Sequence, residues 1–131
     1  MLRRTRALVL SAAIVAAGAG TATAAQADTT STAGRNKAIA KHMVAKRGWG
    51  HAQYRCLVSL WNRESGWRHT AGGSAGPYGI PQALPGRKMA TAGHDWRTNP
   101  RTQIAWGLGY IKHRYGTPCH AWAHFRMHHW Y

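Results

Sequence analysis

The stretch "LWNRESGWRH", residues 60–69, carries Glu64, the only glutamate of a 131-residue chain with 18 Lys and Arg. Leu57, Leu60, Trp61 and Glu64 recur at three- and four-residue steps, the spacing that places side chains on one helix face. The pattern predicts a helix from about His51 to Ser65, stopped by Gly66. Glu64 then sits at the C-terminal end of an apolar stripe. That end carries partial negative charge, which disfavours a carboxylate. Burial beside Trp61 and Trp67 acts in the same direction and raises the carboxyl pKa. Arg63 and Arg68 oppose this, but adjacent helical residues point elsewhere. A carboxyl kept protonated near neutral pH is what a general acid needs. The competing reading is a surface glutamate paired with a neighbouring cation.

Working outward, the segment 69–86, "HTAGGSAGPYGIPQALPG", holds Gly72, Gly73, Gly76, Gly79 and Gly86 with Pro77, Pro81 and Pro85. No regular element persists through such spacing, so an irregular loop or short hairpin is expected. A helix restarts after Thr98 or Asn99, with Pro100 at its first position, Ile104, Leu108 and Ile111 along its apolar row, and Gly116 at its end. Thr117 and Pro118 open a last short helix. On the other side, a helix is expected from about Asn36, with Ala38, Ile39, Met43 and Val44 inward and Gly48 after its end. No strand pattern or repeat appears, and the fold class is mainly α.

The first 27 residues have a different build. Arg3, Arg4 and Arg6 precede a short apolar run, Ala7 to Ala17, and an Ala-x-Ala site at Ala25 and Ala27. That is the three-part form of a secretory signal, with an apolar run short for a membrane span. The expected organisation is a signal over 1–27, a flexible lead over 28–35 and one small domain over 36–131. Removing 1–27 takes away three arginines and keeps all three acids, so the net charge falls from +15 to +12. Such a domain associates with polyanions, and outside a cell these are anionic cell-wall polymers. No nucleic-acid motif is present, so nucleic acid is not an expected partner. Cys56 and Cys119, an isolated pair in an exported chain, are expected to be bridged.

"RESGW", then "SAGPYGIPQ", then "NPRTQIAWGLGYIKHRYG" resemble, in order and spacing, the core of the lytic transglycosylases and goose-type lysozymes, and especially the small secreted transglycosylase-like proteins of actinobacteria. The resemblance covers about residues 36–131. It implies a lysozyme-like helical domain that cleaves the β-1,4 bond between N-acetylmuramic acid and N-acetylglucosamine in peptidoglycan. Carried over, Glu64 is the acid/base and Ser65 supports it. Gly76, Tyr78, Gly79 and Gln82 line a loop closing on the sugar, and Tyr110 reaches the cleft from the next helix. Glycines allow close backbone approach, and Gln82 offers donors and an acceptor to an acetamido group. Tyr78, Trp106 and Trp122 are either sugar platforms or core fillers. The family's later Tyr-Asn pair has no counterpart, and Trp122 and His124 occupy that region.

Most glycosidases use two carboxylates. Asp95, in "AGHDWRTNP", is the one candidate partner, and a turn or cap before the Pro100 helix is its expected role. Glu64 is then expected to act alone, and the resemblance implies a 1,6-anhydro product. His120, His124 and His128 recur at four-residue steps, a spacing that suits Zn or Cu. No carboxylate or free thiolate completes the set. The expectation is a surface that gains charge below about pH 6.5, with no metal, no other cofactor and a monomeric chain. The rival reading is a non-catalytic, cationic wall-binding or antimicrobial protein on the same fold.

Overall fold

A computed structural model describes residues 18, 20, 31–73 and 75–131. Apart from Gly18 and Gly20, the expected signal 1–27 lies outside the described residues, as do residues 28–30 of the expected lead. Four α-helices follow: α1 (Thr32–Lys46), α2 (His51–Ser65), α3 (Pro100–Tyr115) and α4 (Pro118–His128). A 3-10 helix, Gly86–Thr91, lies between α2 and α3. The described chain is mainly helical, and its only β-pairing is two isolated bridges, Gly72 with Tyr78 and Tyr78 with Ala83.

Three helices obey their local signals. Gly66 takes the left-handed conformation after α2, with φ 59°, and its N–H returns to Asn62 and Trp61. Asn99 caps α3 by accepting from Arg101 N at 2.9 Å, and Thr117 caps α4 by accepting from His120 N at 3.3 Å. The first helix differs from expectation. Ser31 Oγ accepts from Gly34 N at 2.9 Å, so α1 starts at Thr32, and residues 32–35 belong to its first turn instead of a flexible lead. Its buried positions also differ. Asn36, Ala40 and Val44 are buried, Ile39 and Met43 are half-buried, and Ala38 is exposed. Asn36 faces inward because its amide nitrogen donates to Trp67 O at 2.9 Å, a polar partner that satisfies it there.

α2 packs against α1 and α4, and α3 against the same two helices. Their shared core is Leu57, Leu60 and Trp61 from α2, Val44 from α1, Ile104, Leu108 and Ile111 from α3, and Phe125 from α4, joined by Trp67 and Ile80. Trp61 and Trp67 meet edge to face at 5.2 Å. Trp61 fits only because α3 carries Gly107: a Cβ there would stand 2.6 Å from its ring. Cys56 and Cys119 form a disulfide, with Cα atoms 4.9 Å apart, that joins α2 to α4. A second small core of Ala83, Met89 and Trp96, with Tyr78 and Trp106 against it, supports the loop.

That loop has no sheet to hold it. Gln103, fully buried on α3, ties it to that helix with one amide. Its Oε1 accepts from Ile80 N at 2.9 Å, and its Nε2 donates to His69 O and Trp96 O, each at 2.9 Å.

Candidate functional site

Glu64, in the last turn of α2, is half-buried and opens into a cleft of about 250 Å³. Pro77, Gln82 and Leu84 of the loop form one wall, and His129, Trp130 and Tyr131 form the other. Burial lifts the Glu64 carboxyl from an ordinary 4.5 to about 7. Among the described residues it has neither an ion pair nor a hydrogen-bond partner, so nothing holds its charged form against that desolvation. The apolar stripe of α2 ends where the chain leaves the core, and this is why the carboxyl is half in and half out of it.

Tyr131 lines this cleft and the hollow that adjoins it. Its hydroxyl accepts from Trp61 Nε1 at 2.8 Å and donates to Pro81 O at 2.8 Å. Burial holds this phenol well above its usual range, and the Glu64 charge adds to the effect. Trp130 stands edge-on to His124 at 4.4 Å, with the Arg114 guanidinium 5.3 Å from its ring. Gln82, Leu84 and Tyr131 also line an adjoining hollow of about 100 Å³ that continues past Lys88 to Trp106 and Tyr110. Trp106 and Tyr110 lie nearly parallel there, 5.3 Å apart. Flat aromatic faces beside polar groups are suited to sugar rings.

The residues expected at the site divide. Glu64, Gln82 and Tyr110 line the continuous cleft. Gln82 has φ 54°, and its Nε2 donates to Gly79 O at 2.9 Å and Ala71 O at 3.2 Å, so what it offers a ligand is its amide oxygen. Ser65, Gly76, Tyr78 and Gly79 do not line the cleft; their roles are in the scaffold. Ser65 is buried, donates to Ile80 O at 2.8 Å and accepts from Trp67 N at 3.1 Å, tying the end of α2 to the loop. Tyr78 donates to Arg97 O at 2.7 Å and packs edge-on to Trp96. Gly79 has φ 78°, and a Cβ would lie 2.5 Å from Gln103 Oε1. Gly76 takes part in the loop's own bonding, its carbonyl accepting from Gly86 N at 3.2 Å.

Of the aromatics left open by sequence, Trp106 faces the cleft, whereas Tyr78 and Trp122 pack inward, Trp122 stacked on Phe125 at 5.8 Å. Neither Trp122 nor His124 takes the place facing Glu64; Tyr131 does. Asp95 is a turn residue that braces the start of α3. Its oxygens accept from Asn99 Nδ2 at 2.7 Å and Thr102 Oγ1 at 2.6 Å, bonds that lower its pKa. His124 and His128 have ring centres 4.3 Å apart, but His120 turns to Tyr115 O at 3.2 Å. No group of three metal-ligating side chains occurs among the described residues.

Sequence reasoning missed Tyr131 and Gln103. The first had no signal, since its partners lie 50 and 70 positions away. The second had one: a glutamine in line with the inward-facing row of α3, one residue before Ile104. No protein-family model, no curated protein and no solved structure matches this chain.

Proposed function

We propose that the chain is a secreted, lysozyme-like enzyme that cleaves the β-1,4 bond between N-acetylmuramic acid and N-acetylglucosamine in peptidoglycan, with Glu64 as its single acid/base. The observation that carries this reading is the Glu64 carboxyl. It is the one acid on an aromatic-walled cleft, and burial lifts its pKa to about 7.

In the first step the protonated carboxyl donates to the glycosidic oxygen, the C1–O bond breaks, and the leaving sugar departs as an alcohol. The resulting carboxylate lies beside the positive charge developing at C1. In the second step it takes the proton of the muramic acid 6-hydroxyl, whose oxygen closes on C1. Glu64 is protonated again, no water is consumed, and the product is a 1,6-anhydro ring. A scheme with water between two carboxylates requires a second acid on the cleft. Asp95 is engaged with Asn99 and Thr102 at the start of α3 and is not on the lining, which favours the one-carboxylate route. Gln82 and Tyr110 are suited to orienting the sugars, and the +12 charge left after removal of 1–27 to holding the chain on anionic wall polymers.

Mass spectrometry of fragments released from purified peptidoglycan tests the reading. The expected result is anhydro-muramic acid ends from the wild type and from Asp95→Asn, and no release by Glu64→Gln, which still sediments with walls. A wild type that sediments but releases nothing would establish the cationic wall-binding role instead. Reducing ends alone would replace the anhydro route with hydrolysis.

A further inference from the structure

The groove does not stop at Tyr110. Trp106 and Tyr110 border a further hollow of about 310 Å³, with Ala92, Ala105 and Gly109 around it. Ala92 and Ala105 border in turn a hollow of about 390 Å³, walled by His42, Met43 and Lys46 of α1 and by Arg101 and Thr102 of α3. The α3 positions that line these hollows are Arg101, Thr102, Ala105, Trp106, Gly109 and Tyr110. They form two adjacent rows at four-residue steps, hence one face of one helix. From Tyr110 to Arg101 that face extends roughly 13 Å, at about 1.5 Å per residue. Small residues keep it shallow: a Cβ on Gly109 would meet nothing within 4 Å.

The chemistry changes along this path. The Glu64 end is aromatic and holds the acid. The far end presents Lys46 and Arg101 with the His42 imidazole, interspersed with the apolar Met43, Ala92 and Ala105. No described carboxylate pairs with Lys46 or Arg101. Glu64 lies at the opposite end, and Asp95, hydrogen-bonded to the lining Thr102, is the nearer negative charge but makes no ion pair with either cation. With two cations against that one carboxylate the hollow carries an excess of positive charge that attracts an anion, and the fork of Arg101 matches a carboxylate.

We infer that this far end binds the carboxylates of a peptide branch carried by the glycan strand whose scissile bond lies at Glu64. The inference rests on the reading of the cleft as a glycan site. Continuity of the groove makes the occupant part of the same molecule. Cations alternating with methyl-bearing side chains suit a peptide of small residues and carboxylates. A phosphodiester polymer, charged at every repeat, needs no apolar wall and is served by cations dispersed over the surface.

The test is binding without turnover, in the full exported protein carrying Glu64→Gln. The probes are a bare β-1,4 glycan strand, the same strand with its peptide branches, and a soluble polyglycerol phosphate. The branched strand is expected to bind about tenfold more tightly than the bare one, the worth of one charge-assisted contact. Lys46→Glu with Arg101→Glu brings that ratio to about one. Arg55→Glu with Arg126→Glu, an equal change of charge at exposed residues outside the groove, leaves the ratio in place. A ratio that survives the first pair, or that both pairs abolish equally, overturns the inference. So does polyglycerol phosphate binding that only the Lys46/Arg101 pair removes, because the site would then belong to phosphodiesters. A wild type that cleaves no peptidoglycan sinks the catalytic reading alone, since the ratio is read in a protein that does not turn over.

Discussion

Trp61 Nε1 donates a 2.8 Å hydrogen bond to the hydroxyl of Tyr131, 70 positions later in the chain. The same hydroxyl donates to Pro81 O. One oxygen thus joins the catalytic helix candidate α2, the loop and the segment after α4. Tyr131→Phe keeps the ring and removes that oxygen, leaving an indole N–H of the core and a loop carbonyl unpartnered. The expected cost is about 1–3 kcal/mol in stability, read by chemical denaturation. Release of sugar fragments should fall as well. An unchanged midpoint with unchanged activity would show that the link carries no weight.

The Glu64 pKa of about 7 sets a pH dependence. In the proposed mechanism the first step needs the acid form, so the rate of bond cleavage should fall as pH rises through about 7. Stability follows the same group. Between 4.5 and 7 the unfolded chain loses this proton while the folded chain keeps it, so raising the pH favours unfolding, and the loss is complete above about 7. Glu64→Gln removes the penalty. It should be more stable than wild type by ~1–2 kcal/mol at pH 8, a figure reduced for the solvent-facing side of the carboxyl, and nearly equal to it at pH 4. Equal stability of the two proteins at pH 8 would contradict the burial assigned to Glu64.

Two loop glycines that look alike in sequence should behave differently. Gly79→Ala places a Cβ at φ 78° and 2.5 Å from Gln103 Oε1, and should destabilise by more than about 1–2 kcal/mol. Gly76→Ala meets nothing closer than 4.0 Å and should change stability by less than about 0.5 kcal/mol. Thermal melts of the pair check the contrast, and equal shifts would refute it.

Reduction of the Cys56–Cys119 bridge should be costly. The two residues are 63 apart in sequence, a loop to which the chain-entropy model assigns about 4 kcal/mol. Thiol labelling should find no free cysteine before reduction, and the reduced protein should melt at a clearly lower temperature. Identical melting of the two forms would show that α2 and α4 hold together without the bond.

The helices were legible because their boundaries are local. Gly66, Pro100, Gly116 and Pro118 punctuate the chain within a turn of the residues they stop or start. The start of α1 was missed because Ser31 sits in a run of small polar residues that reads equally well as a lead. Glu64 was legible from its place on an apolar stripe, and Asp95 from its place before a proline-started helix. The roles of Ser65, Gly76, Tyr78 and Gly79 were not, because a motif records which residues recur together and not which way they face. Asn36, Gln103 and Tyr131 find their partners across the fold, at separations of 31, 34 and 70, and no window along the chain contains both members of such a pair.

A β-ladder is redundant: lose one rung and its neighbours keep the register. The loop opposite Glu64 is held by scattered side-chain bonds instead, from Ser65 to Ile80 O, from Tyr131 to Pro81 O and from Tyr78 to Arg97 O. Its hydrogen bonds to α3 are the two that the Gln103 amide makes with Ile80 N and His69 O, while a third holds Trp96 O, and α3 is also the helix whose outer face floors the groove. The spacing between the two is therefore gauged by the length of one glutamine side chain. Asparagine, one methylene shorter, or glutamate, with no amide donor, would not loosen that fit by degrees. Either would break more than one of the Gln103 bonds at once, so the distance from loop to helix is set at a single side chain even though other bonds hold the loop to the domain.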